Sequence, residues 1–103
     1  MVTQKQVALE LIGKHITEYR TLDVHDRYGD RLAKAQSLLE SDAVQRQNDG
    51  SYLVQGSRAE PYMVNGSCEC VDYQRGHAPS GWCKHRLAAK TYQVVLNDLR
   101  SMQ

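Results

Sequence analysis

Residues 68–85 read CECVDYQRGHAPSGWCKH, and this stretch decides the fold. Cys68-Glu69-Cys70 and Cys83-Lys84-His85 each place two soft ligands at i and i+2, with twelve residues from Val71 to Trp82 between the pairs. Three thiolates and one imidazole complete a tetrahedron, the donor set and geometry of a structural zinc ion, with no open position for substrate or water. Side chains at i and i+2 of a flat strand lie roughly 6.5 Å apart, whereas sulfurs on one zinc must approach to about 4 Å. Both pairs are therefore expected on curved backbone, which Gly66 and Gly81, just ahead of them, supply. Residues two apart on an α-helix face away from each other, so Cys83 is expected at or before the first turn of a helix that starts near His85. Two alternatives stay open. One is three ordinary buried cysteines beside a hydrogen-bonded histidine; the other keeps the metal but replaces His85 by His77, which lies in a loop without a paired ligand.

Outward from this stretch, the chain has 103 residues and an odd count of three cysteines. It fits one domain with a limited core, since six Tyr and one Trp with no Phe give few large residues to bury. A metal staple suits that size. Clustered, odd-numbered cysteines beside histidine fit a reducing, intracellular, cytoplasmic setting better than a disulfide framework. The N-terminal region lacks the apolar block of a signal peptide, and no stretch has the length and apolarity of a membrane span, so no membrane partner is expected.

Residues 1–42 read as a helical pair. Ala8, Leu11, Ile12, Ile16 and Tyr19 recur at helical spacing from Thr3 to about Arg20, with Thr3 and Gln6 as a capping box. A second stripe of Tyr28, Leu32, Ala35 and Leu39 predicts a helix from about Val24 to Glu40, with Asp23 as its N-cap and Gly29 weakening it. Residues 43–103 form the metal-binding part. Val44, then Tyr52 and Val54, then Tyr62 and Val64 alternate with polar residues and predict a three-stranded meander. Asp49-Gly50 supplies the positive-φ turn of its first hairpin, and Pro61 begins an edge strand. Residues 76–81 read as an exposed tip. Leu87, Ala88, Thr91, Tyr92, Val95 and Leu99 predict a closing helix over about Lys84 to Arg100. The fold class is α+β: two N-terminal helices packed on a small antiparallel meander and a C-terminal helix that carries the zinc site, one compact unit overall.

The net charge of +1 excludes a polybasic protein, yet four bases and no acid lie between Arg75 and Lys90. Arg75, Lys84, Arg86 and Lys90 are the candidate nucleic-acid contacts. A competing role exists for Lys84 and Arg86, because a zinc ion with three thiolates carries a formal charge of −1 that nearby cations would balance. Trp82 and Tyr73 flank the ligands and either stack on bases or shield the metal. Asp72 is read as a turn cap and Glu69 as solvated. His15 and His25 have no metal-spaced partner and are read as surface or packing residues.

The order Cys-x-Cys, twelve residues, Cys-x-His resembles the SWIM zinc finger. Tyr62-Met63-Val64 resembles that family's Tyr-x-Val strand, Val71-Asp72-Tyr73 its Pro-Asp-Phe turn, and residues 83–89 its Cys-Lys-His-Leu-Leu-Ala run; Val71 departs from the usual Pro. The resemblance covers roughly residues 51–92. It implies two strands and a helix around one zinc held by Cys68, Cys70, Cys83 and His85, and a role in binding DNA or in protein interaction and assembly within DNA-processing systems. No Ser/His/Asp or His-Glu-x-x-His arrangement is present, so no enzyme is expected.

Overall fold

A computed structural model describes residues 4–23 and 26–102. The elements run α1 (Gln4–Leu22), α2 (Asp30–Glu40), β1 (Val44–Arg46), β2 (Tyr52–Val54), β3 (Tyr62–Val64), α3 (Val71–Gln74), a 3-10 turn at Pro79–Gly81, and α4 (Lys84–Ser101). The architecture is α+β: helices plus one antiparallel sheet of order β1-β2-β3. None of these helices is long and apolar enough to cross a membrane.

The helices follow from the spacing of their apolar residues. Ile12 and Ile16 of α1, Leu32, Ala35 and Leu39 of α2, and Leu87, Ala88, Thr91 and Val95 of α4 are all buried. These three stripes meet one another, so α1 and α2 pack together and each also packs on α4. The opposite side of α4 lies on the sheet, where Val44, Tyr52, Val54 and Val64 are buried. The Tyr52 and Tyr92 rings meet edge to face at 5.8 Å across that junction. The long C-terminal helix is thus the central element, with the helical pair on one side and the meander on the other. Thr91 of this helix is 0% exposed, its hydroxyl satisfied by donating to the Leu87 carbonyl at 2.8 Å.

The second helix begins later than its stripe predicts. Gly29 has φ 52° and ψ −131°, which no helix accommodates, and α2 starts only at Asp30. Asp23 is not its N-cap. The Asp23 carboxylate instead accepts the Arg27 and Tyr28 amides at 2.7 and 2.9 Å, tying off the loop after α1. Tyr28 lies outside the helix but still packs against the core. The Thr3 capping box falls outside the described residues.

The meander has the register Val44↔Val54 and Tyr52↔Val64, which places the alternate apolar residues on the face toward α4. In the first hairpin only Gly50 has positive φ. Asp49 acts through its side chain, accepting both the amide and the hydroxyl of Ser51, at 2.9 and 2.6 Å. Pro61 directly precedes the edge strand β3, where a missing N–H interrupts no ladder.

Candidate metal centre

Three elements bring the ligands together. Cys68 follows a turn in which Gly66 has φ 74°; Cys70 is the N-cap of α3; Cys83 is the N-cap of α4, after Gly81 at φ 80°. Both glycines adopt left-handed backbone, the bend that the two close pairs require. His85 is the second residue of α4, and the helix starts at Lys84.

One donor atom from each of Cys68, Cys70, Cys83 and His85 lies within 4.8 Å of the others, and all four residues are buried. Cys68 Sγ and His85 Nδ1 are 3.7 Å apart. Zinc bonds of about 2.3 Å to sulfur and about 2.0 Å to nitrogen set such a pair roughly 3.6 Å apart around a tetrahedron. The cysteines are free thiols rather than disulfides. Four soft donors, buried and convergent, fit one metal ion. His77 is exposed and lies outside the cluster, so His85 and not His77 is the imidazole that joins the sulfurs.

The thiols divide unequally. The hydrogen bond from Cys68 pushes Cys83 below the ordinary thiol range despite burial, with His85 and the Arg86 amide adding to the effect. That amide belongs to the first turn of α4, where free N–H groups stabilise an anion. Cys68, the donor, is pushed up for the complementary reason and by burial, and burial also raises Cys70. A metal ion bound here displaces the retained protons, so proton and metal compete.

Supporting residues surround the ligands. Arg31 of α2 donates to both Asp72 carboxylate oxygens, at 2.8 and 2.7 Å, and to the His77 carbonyl at 3.2 Å. Asp72 therefore caps no turn with its side chain; its backbone carbonyl receives the His77 and Ala78 amides instead. The guanidinium holds the Asp72 carboxyl below its ordinary range. Residues 76–81 are likewise not wholly an exposed tip, because Ala78 is buried. Glu69 is exposed but ion-paired with Arg58 at 3.3 Å. His15 is a packing residue, with its Nε2 2.7 Å from Asp98 of α4; His25 lies outside the described residues.

The four candidate phosphate contacts do not form one patch. Lys84 lines a cleft with Asp30, Arg31 and Lys34 of α2. Arg86 and Lys90, a turn apart on α4, line a different cleft with Trp82. Arg75 is exposed at the end of α3. Arg86 is also engaged internally: it donates to the Gly81 carbonyl at 2.8 Å, and its guanidinium lies 4.4 Å from the Trp82 ring and 5.7 Å from that of Tyr73.

Arg31 and Arg58 carry no signal of these roles in the sequence, since each acts through a partner distant along the chain. No protein-family profile matches the chain, no curated protein matches it, and no solved structure matches it.

Proposed function

We propose that this chain is a structural zinc module of the SWIM type, without catalytic activity, in which Cys68, Cys70, Cys83 and His85 bind one zinc ion. The observation that carries this is the convergence of four buried soft donors within 4.8 Å. Three sulfurs and one imidazole select zinc over harder cations and, being four, leave no coordination position for a substrate. The order of the ligands and the Tyr62-Met63-Val64 strand support the SWIM assignment. Elemental analysis of purified protein is expected to give one zinc per chain, with Cys83→Ser reducing that content; zero zinc, or full content in the variant, would overturn the assignment.

Nucleic-acid binding is the surface role we assign to this module, and it is weak. Arg86 and Lys90 favour it, because two cations share one cleft. Arg75 and Lys84 extend the contact only if the partner reaches other faces. Each phosphate neutralised on duplex DNA contributes about −0.9 to the slope of log affinity against log salt, so the Arg86–Lys90 face supports a slope of about −2. Gel shifts with duplex and single-stranded probes across a salt series test this. If no probe shifts at low salt, a protein-interaction or assembly role replaces it.

A further inference from the structure

His85 is also packed on the side away from the sulfurs. Its Nδ1 faces Cys68, while its Nε2 is buried and has no hydrogen-bond partner among the described residues. That nitrogen abuts Gly56 in the loop between β2 and β3, where an added Cβ would lie 3.0 Å from Nε2 and 2.5 Å from the Tyr62 ring. The backbone of Gly56 is not left-handed, so glycine is needed here for space alone. The Tyr62 ring lies 4.5 Å from the imidazole at a 40° tilt. The Arg58 guanidinium lies 3.9 Å from the centroid of the same Tyr62 ring.

Arg58 is itself fixed. It donates to the Glu60 and Pro61 carbonyls at 3.0 and 3.1 Å and to Glu69 at 3.3 Å, and its own carbonyl accepts from the Gln55 side chain at 2.7 Å. Glu69 is the residue between Cys68 and Cys70. One loop therefore presses on the imidazole through Tyr62 and grips the first cysteine pair through Arg58.

Resting on the zinc reading, we infer that the loop over residues 55–61 together with Tyr62 is a latch on the metal centre: Gly56, Arg58 and Tyr62 are positioning residues that fix His85 as an Nδ1 ligand and slow the departure of the ion. Tyr62 and the Gly56 backbone pack on the Nε2 edge of the ring, which leaves Nδ1 as the nitrogen on the side of the sulfurs. The remaining proton of the neutral ring sits on Nε2. Exchange of the metal for solvent or a chelator requires the imidazole or a cysteine to swing out, and the latch opposes both. Residues that orient a metal-bound histidine commonly change metal affinity about 10- to 100-fold when altered.

The test uses the zinc-loaded full chain, with three variants: Arg58→Gln, Tyr62→Leu and Gly56→Ala. Two-bond proton–nitrogen correlation spectra identify the metal-bound ring nitrogen, and stopped-flow transfer of zinc to a chromogenic chelator gives the release rate. The expected results are a metal-bound Nδ1 and a protonated Nε2 in the wild type. Arg58→Gln and Tyr62→Leu are expected to load one zinc but release it about 10-fold faster. Gly56→Ala is expected to lose the imidazole signature, with cobalt substitution retaining the sulfur-to-metal charge-transfer band of the three thiolates. Zinc bound through Nε2, or release rates within twofold of wild type in both Arg58→Gln and Tyr62→Leu, overturns the latch and leaves the zinc site standing. A wild-type chain that takes up no metal overturns both.

Discussion

Arg31 and Asp72 show how much one pair of side chains can organise. Separated by 41 positions, they join α2 to α3, and the same guanidinium reaches the His77 carbonyl, so the segment between the two cysteine pairs is held to the helical half. A bidentate guanidinium–carboxylate pair of this kind, partly exposed, contributes about 1 kcal/mol. Asp72→Asn is therefore expected to lower stability by about that amount at neutral pH. The sign of its pH dependence follows from the lowered folded-state pKa of Asp72. A depressed carboxyl contributes stability above its unfolded value of about 4, and the contribution is lost as pH falls through the lower folded value. Urea melts of wild type and Asp72→Asn should thus draw together as pH falls from neutral toward the lowered folded-state value, over the range in which both keep their metal, and a difference that does not shrink would assign the effect to something other than charge.

The residue scale also marks where sequence reading stops. The cluster of four donors was legible because soft donors in two short pairs carry their chemistry in their identity. The Arg31–Asp72 pair was not, because nothing near Arg31 in the chain distinguishes it from any solvated arginine on a helix. Asp23 misled for a different reason. Its carboxylate does accept backbone amides, as an N-cap would, but those of Arg27 and Tyr28 in a loop. An aspartate ahead of a helical stripe looks the same in either arrangement.

At the scale of elements, the helices were readable from their buried stripes, and the strands from alternation. The start of α2 was not, since Gly29 continues a helix in many contexts and here breaks one with its positive φ. Which element each stripe packs on was equally hidden, because the spacing in α4 does not say that one helix serves both the helical pair and the sheet. Leu32 is 1% exposed where α2 meets α1 and α4. Leu32→Ala is expected to cost about 2–5 kcal/mol by lost transfer energy and a residual cavity, measurable as a lower denaturation midpoint at unchanged slope. The helical pair should also be needed by the remainder. A chain beginning near Asp42 uncovers the apolar side of α4 and is expected to lose stability even when fully loaded with zinc; equal stability would make residues 1–42 an accessory.

For the whole molecule the central question is what holds so small a core together. Its aromatic residues are few, and the segments on both sides of the cluster, β3 with the turn that follows it and the start of α4, meet through Cys68, Cys70, Cys83 and His85. Ligation needs three buried thiolates side by side, and each disfavours the next unless a cation lies among them. The zinc we propose would compensate those charges, and its binding free energy in small fingers, on the order of 10 kcal/mol, is also folding free energy. Acid should release the ion, because protons compete for all three sulfurs. The most direct measurement is the amide spectrum of the zinc-loaded chain before and after a strong chelator, with metal content determined on the same sample. One zinc per chain, and collapse of the dispersed signals of residues 44–101 on its removal, is the predicted result; dispersed signals that persist in a metal-free chain would contradict the zinc staple.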